Sequence, residues 1–359
     1  MRRSGLTSGR EAIRVALIGA GRFGAKRAAA ISKSPRCTLA VVADTNLQAA
    51  NGLAGQFACE ATEDWKSAVT RRDVDAVVVS TPTYRLAEVS LSAAESGKHV
   101  LAEKPFARSA AEAWPVIEAA RRSRVCLKAG YNHRYHPALR GAHRLFAEGR
   151  IGRPLTIQCF YGHGGRIGYD QEWRSRPDLS GGGQLLDQGV HALDLFGWFL
   201  GDFEEVNAMV STAFWPIAPA EDNVFATLRA PSGAVAQLHA SWTYWKNKFS
   251  CTLIGEKGYL LVDGLGGSYG PERLCLGVRK NPGEVPKEEW SDFPGRDDSL
   301  ELEWQDFLDS IAGGQKPMSD GEDAARTLRL VDAIYRAAKQ GRTIQMETAN
   351  EPAAAEAGR

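Results

Sequence analysis

The apolar, β-branched run Ile13–Ile18 ends in the hexapeptide Gly19-Ala20-Gly21-Arg22-Phe23-Gly24 and passes into a helix-compatible stretch, Ala25–Ser32. A G-x-G-x-x-G turn between strand and helix constrains a fold strongly. Its first glycine allows the tight turn, its second lets backbone approach a pyrophosphate, and its third lets helix and strand pack closely. The helix N-terminus adds unsatisfied N–H groups and the positive end of a dipole. The pattern alone carries little in a chain with 37 glycines, about 10% of its residues against a usual ~7%. Here a second apolar run, Thr38–Ala43, ends in Asp44, about 20 residues on, where a carboxylate accepts hydrogen bonds from ribose hydroxyls. Dinucleotide binding is expected at Gly19, Gly21, Arg22, Phe23, Gly24 and Asp44. Asp44 would repel a 2′-phosphate and no arginine follows in Thr45-Asn46, so NAD is expected over NADP.

The rhythm of short buried strands and helices continues through Asp75–Ser80, Leu86–Ser96, His99–Ala102, Ala110–Arg122 and Val125–Ala129. Such alternation predicts a doubly wound parallel sheet covered on both faces. After His133 the texture changes. A helix at Ala138–Glu148 precedes strands at Thr156–Tyr161, Val206–Thr212, Val224–Ala230, Ala234–Tyr244, Phe249–Ile254 and Gly258–Val262. Tight turns such as Pro231-Ser232-Gly233 argue hairpins. Helices are expected at Leu185–Leu200, Leu300–Gly313 and Asp320–Gln340. The reading is therefore α/β: a dinucleotide-binding domain at 11–133 and an α+β domain on a large, mostly antiparallel open sheet at 134–349, with flexible tails at 1–10 and 350–359. A length of 359 residues suits two domains.

Composition removes several alternatives. With 44 Lys plus Arg against 43 Asp plus Glu, there is no basic excess to draw nucleic acid. No apolar run reaches the roughly 18–20 residues of a membrane span. The six cysteines are scattered without a C-x-x-C pair, so neither a zinc site nor a disulfide framework is expected, and a reducing, cytoplasmic setting is. Arg2, Arg3 and Arg10 come without an apolar core, unlike a secretory signal.

Two further motifs carry chemistry. Glu103-Lys104-Pro105 follows the strand at His99–Ala102, and so lies at the carboxyl edge of the sheet, where ligands bind in open α/β folds. In Gly181-Gly182-Gly183-Gln184-Leu185-Leu186-Asp187-Gln188-Gly189-Val190-His191-Ala192-Leu193-Asp194, helical spacing puts Asp187, His191 and Asp194 on one face of an otherwise apolar helix. A titratable stripe on a buried helix costs free energy unless paired or working, so a satisfied core histidine is the competing reading. Histidine suits proton exchange with a hydroxyl at neutral pH, and lysine can lower that hydroxyl's pKa.

The glycine turn, Asp44, Thr81-Pro82, Gly97-Lys98-His99-Val100 running into Glu103-Lys104-Pro105, and the Asp187-to-Asp194 segment together resemble the Gfo/Idh/MocA oxidoreductases over residues 11–345. This family includes glucose–fructose oxidoreductase and inositol dehydrogenases. The resemblance implies NAD(P)-dependent oxidation or reduction of sugars or cyclitols, and homodimers or homotetramers built through the second sheet. It implies that Lys104 contacts the reacting hydroxyl, Asp187 binds or polarises substrate, and His191 is the acid/base. Thr81, Pro82, Glu103 and Lys104 would join the cofactor site. The chain departs from the family in Thr83-Tyr84-Arg85-Leu86, where members commonly carry a histidine soon after Thr-Pro.

The glycine-rich loop Gly162–Gly168 brings His163 and Arg166, and Trp173 and Arg174 follow. With Asn132 and Tyr244 these are the expected substrate contacts. Aromatics and guanidinium groups suit an anionic or nucleotide-linked sugar; a neutral sugar or cyclitol is the alternative. Two readings from other classes are a lyase or hydrolase using bound NAD transiently and a non-catalytic NAD-sensing regulator. A regulator has no need of both Lys104 and His191.

Overall fold

A computed structural model describes residues 12–346, so the tails expected at 1–10 and 350–359 lie outside the described residues. Strands β1 (Ile13–Ile18), β2 (Cys37–Ala43), β3 (Glu60–Thr62), β4 (Ala76–Val79), β5 (His99–Glu103) and β6 (Leu127–Gly130) form a parallel sheet in the order β3-β2-β1-β4-β5-β6. Every side chain of β4 is buried, because helices cover both faces of the sheet. Those helices are α1 (Arg22–Ser32), α2 (Leu47–Gln56), α3 (Trp65–Thr70), α4 (Thr83–Glu95) and α5 (Ala110–Ser123). The polar segments α2, β3 and α3 gave no clear periodic signal in the sequence; Asn46 and Asp64 start the two helices by accepting backbone N–H bonds.

A single 3₁₀ turn, Asn132–Tyr135, joins the two halves and leads into α6 (Pro137–Ala147). The second sheet comprises β7 (Pro154–Gly162), β8 (Glu205–Ser211), β9 (Asn223–Arg229), β10 (Val235–Ser241), β11 (Lys248–Gly255), β12 (Gly258–Asp263), β13 (Glu272–Val278), β14 (Lys287–Phe293) and β15 (Ile344–Gln345). Their order is β14-β13-β12-β11-β7-β10-β9-β8-β15. All neighbours are antiparallel except β10 and β7, which lie parallel. Alternating burial along β9 and β10 gives this sheet one covered face and one that presents Phe160, Phe225 and His239 outward. The edge strand β14 is almost wholly exposed and alternates nothing, which is why its sequence does not read as a strand.

After a short helix α7 (Pro177–Ser180), the helix expected over Leu185–Leu200 divides in two. Leu185–Gly189 is a wide, π-helical turn and α8 proper is Val190–Leu200. The cause is a clasp just ahead of it. The Glu221 carboxylate accepts hydrogen bonds from the backbone N–H groups of Gly183 and Leu185 and from the Tyr335 hydroxyl. A Cβ at Gly183 would stand 2.1 Å from the Glu221 carbonyl oxygen, and one at Gly182 1.9 Å from the Tyr335 hydroxyl oxygen. The expected single face is corrected accordingly. Asp187 and His191 look into the cavity between the two halves, while Asp194 is held by Arg134 at 2.6 and 2.9 Å.

Two C-terminal helices, α9 (Ser299–Gly313) and α10 (Gly321–Gln340), complete the chain. Trp304, Phe307 and Leu308 of α9 pack against Val15, Leu17, Val42, Val78 and Leu101, so the chain returns to cover the first sheet.

Candidate active site

The carboxyl ends of β1, β4 and β5 open onto a cavity of about 940 Å³ whose far wall is the second sheet, the π-turn and the loop after β7. At one end lies the glycine turn. Gly19 adopts φ +104°, and a Cβ there would meet the Ser80 carbonyl oxygen at 2.4 Å; at Gly24 a Cβ would stand 2.0 Å from the Gly19 carbonyl oxygen. Gly21 is different, with nothing within 4 Å of its position and the cavity in front of it. The outer two glycines thus serve packing and the middle one leaves room for a close ligand. No side chain caps the N-terminus of α1. The buried hydroxyls of Ser80 and Thr81 have no hydrogen-bond partner at the same edge. These open donors fit a diphosphate. Arg22, Phe23, Thr81 and Pro82 line the cavity, whereas Gly19, Gly24 and the partly exposed Asp44 are not part of its lining.

Asp44 braces the turn: its carboxylate accepts the Ala20 N–H at 2.7 Å and the Asn46 N–H at 2.8 Å. Each oxygen keeps a lone pair for a further donor. Glu103 reaches the cavity wall, but its carboxylate is bound to Arg27, a fully buried guanidinium that also pairs with Glu303 at 2.6 Å. Glu103 thus stands in the cavity wall, where it is expected to join the cofactor site, with its carboxylate already engaged. Gly21→Ala should leave the unfolding temperature unchanged while weakening NADH binding about ten-fold, ~1.4 kcal/mol. Calorimetric titration beside thermal unfolding checks it; unaltered affinity would remove the ligand from this turn.

The centre of the cavity joins Lys104, Asp187 and His191. The Lys104 ammonium donates to the Asp187 carbonyl oxygen and stands 3.5 Å from its carboxylate. Burial raises the Asp187 carboxyl pKa, but Lys104 and then Arg174 outweigh it and hold the group below its ordinary value. His191 is buried with its Nδ1 unpartnered. Its pKa lies well below the ordinary value, first through burial and then through the neighbouring His133, Lys104 and His136. The surroundings thus favour the neutral ring, with Nδ1 open to a hydrogen-bond partner.

The remaining expected contacts divide. Asn132, His163, Arg166, Trp173 and Arg174 line the cavity, with Asn132 fixed by its Nδ2 donating to Ser299 Oγ at 2.8 Å. Tyr244 does not: β10 ends at Ser241, and from the turn that follows the Tyr244 hydroxyl pairs with His239 at 2.6 Å on the outer face of the sheet. The two arginines of this region have acidic partners. Arg166 makes a two-pronged pair with Glu172 at 2.7 and 2.8 Å, and Arg174 reaches Glu172 at 3.3 Å and Asp187 at 4.0 Å. Both guanidiniums lie over aromatic rings, Arg166 on Tyr169 and Arg174 on Trp173. Several lining residues escaped the sequence reading: His136, Tyr161, Gln188 and Tyr269. Gln188 sits within the singled-out Asp187-to-Asp194 segment and His136 lies four residues after Asn132, whereas Tyr161 and Tyr269 carry no such signal. Among the described residues no group of three or more His, Cys, Asp or Glu could hold a metal ion, and no helix is long and apolar enough to cross a membrane.

Comparison with known proteins extends this geometry. A family model described as oxidoreductase family, NAD-binding Rossmann fold, matches residues 13–131, and one described as GFO/IDH/MocA C-terminal domain matches residues 139–261. The chain is 31% identical to 1,5-anhydro-D-fructose reductase of Ensifer adhaerens over 278 residues, 77% of this chain and 81% of that enzyme. It is 33% identical to levoglucosan dehydrogenase of Pseudarthrobacter phenanthrenivorans over 175 residues, spanning 48% of this chain and under half, 45%, of that relative. Inositol 2-dehydrogenase of Rhizobium meliloti aligns over 93% of this chain and 99% of its own length at 27% identity. Among solved structures, levoglucosan dehydrogenase in complex with NADH and levoglucosan superposes with a TM-score of 0.85 at 24% identity, over 93% of this chain and 99% of that one. That likeness speaks for the fold.

Proposed function

Because the chain belongs to the GFO/IDH/MocA oxidoreductase family, whose first domain is NAD-binding, we propose that it oxidises a secondary alcohol of a sugar or cyclitol. The observation carrying this reading is the meeting of Lys104, Asp187 and His191 at the centre of the cavity onto which the glycine turn opens. Bound there, NAD would supply the acceptor for the hydride of the alcohol carbon. The chain's own residues do the rest. Gly21, the N-terminus of α1 and the Ser80 and Thr81 hydroxyls would hold the diphosphate, and Asp44 would accept hydrogen bonds from the ribose hydroxyls. Lys104 hydrogen-bonds the substrate oxygen and favours its ionised form. His191 takes the hydroxyl proton as the C–H electron pair departs and the carbonyl forms. Asp187 holds Lys104 in place and offers an acceptor to a neighbouring hydroxyl.

The charge balance around the loop supports a neutral polyol over an anionic or nucleotide-linked sugar, since Glu172 and Asp187 already answer Arg166 and Arg174. A panel of levoglucosan, 1,5-anhydrosugars, inositols, uronic acids and nucleotide sugars, followed by NADH absorbance, tests both points. Turnover of neutral polyols is expected; turnover of anionic sugars alone would overturn the substrate reading. Steady NADH accumulation separates net oxidation from transient use of bound NAD. With its carboxylate at the ribose, Asp44 should make NADH bind about ten-fold or more tightly than NADPH. Equal affinities would sink that preference.

The outward Phe160, Phe225 and Met209 on the second sheet support self-association through that face. All six cysteines are free, which suits the reducing cytoplasm.

A further inference from the structure

His133 is the buried titratable group that the proposed chemistry leaves unused. Its ring lies on that of His191 with centroids 3.7 Å apart and planes within 11° of parallel. Nδ1 stands 3.3 Å from Asn132 Oδ1, and Nε2 lies 2.9 Å from the Tyr161 hydroxyl. Asn132 Oδ1 can only accept, since the amide nitrogen of that side chain is turned to Ser299. The neutral ring at position 133 therefore carries its proton on Nδ1, and Tyr161 donates to Nε2. A hydroxyl that donates to the bare nitrogen stabilises the unprotonated ring.

Every element around His191 bears on its charge. Lys104 follows β5, Tyr131 follows β6 at 6.1 Å between ring centroids, and Tyr161 on β7 stands at 6.3 Å. His133 and His136 come from the junction turn, with His136 tied to Glu272 at 3.0 Å. Asp187 is one turn back on the same segment, engaged by Lys104. Of these, only His133 makes face-to-face contact. Two imidazolium rings cannot lie 3.7 Å apart in a buried site without strong repulsion, so protons enter the pair one at a time.

We infer that His133 is a positioning residue for the proposed base: stacked on His191 and held by Tyr161, it sets which protonation state His191 brings to the substrate. Packing alone would ask only for a flat ring at position 133. Coupling asks for a ring that can itself be charged, and for a hydroxyl that biases it. This inference rests on His191 being the acid/base, but its test needs neither substrate nor NAD.

The full-length protein with ¹⁵N-labelled histidine has seven imidazoles to follow by NMR during acid titration, with His191 assigned by its loss in His191→Gln. In His133→Phe, which keeps a stacked ring, the His191 midpoint should rise by about one pH unit. Linkage requires His133 to rise likewise in His191→Phe. Tyr161→Phe removes the donor to His133 Nε2, lets that ring protonate more readily, and should move His191 the opposite way, downward. A ring that merely packs predicts neither the movement nor its reversal. If His133→Phe fails to fold, Tyr161→Phe still decides the matter. His191 titrating at one unchanged pH in wild type and in every folded variant would overturn the coupling. Failure of all polyols to react would instead overturn the proposed oxidation and leave the coupling standing.

Discussion

His191→Ala is expected to lower kcat for polyol oxidation by about 10²–10⁴-fold, the range for loss of a general acid–base group. NADH affinity should stay close to that of the wild type, because His191 stands at the second-sheet wall, away from the glycine turn. Lys104→Ala should fall in the same range, with a different signature. Removing the ammonium leaves the Asp187 carbonyl without its donor and the carboxylate without the cation 3.5 Å away. Asp187 would then lose the largest influence that holds its pKa down, so part of the activity should be lost through protonation of Asp187 at mildly acid pH. Lys104→Arg keeps the charge but not the point-like donor, and is expected to recover the pH profile better than the rate. Steady-state kinetics across pH, together with NADH titration, separate these effects. Near-wild-type turnover in both alanine variants would remove the proposed chemistry from this wall.

The second large effect concerns stability. Arg27→Met should destabilise the fold by about 3–5 kcal/mol, as when one partner of a buried ion network is removed. Arg27 is 1% exposed, and its partners Glu103 and Glu303 are buried carboxylates arriving from β5 and α9. Burial raises the Glu103 pKa; Arg27 is the leading opposing influence, and without it the two acids face each other in a desolvated site. The triple change Arg27→Met, Glu103→Gln, Glu303→Gln should restore most of the loss, because apolar and neutral polar groups remove the desolvation penalty along with the attraction. Denaturant unfolding measures both. A shift below about 1 kcal/mol in Arg27→Met would show that water or a relaxed backbone compensates the charges.

The extent to which sequence foretells this molecule follows its periodicities. The first sheet was legible because β1, β2, β4 and β5 are continuous apolar runs bounded by turn residues, and such runs have few alternative fates. The second sheet was legible where strands alternate, as in β9 and β10, and illegible in β14, where both faces are wet. Among site residues, Lys104, Asp187 and His191 could be singled out because polar groups in apolar surroundings stand out along the chain. The partnerships could not. Arg166 reads as a free cation until Glu172 folds onto it, and Tyr244 reads as a pocket residue until the turn after β10 brings it to His239 on the outer face. The π-turn was likewise hidden: its cause, Glu221, lies far along the chain and acts through space.

The return of α9 to the first sheet bears on how such a chain can be divided. Trp304, Phe307 and Leu308 are as much a part of the first sheet's core as Val15 or Leu101, although nearly the whole second half separates them in sequence. A fragment ending at the junction turn would lay that apolar floor open to water, and the buried Arg27 would lose Glu303. The two halves are therefore modules in architecture but not in inheritance. An exchange that gives this chain a new substrate wall must carry over or rebuild α9, so recombination is workable within the loop after β7 or the strands of the second sheet, and costly at the apparent domain border.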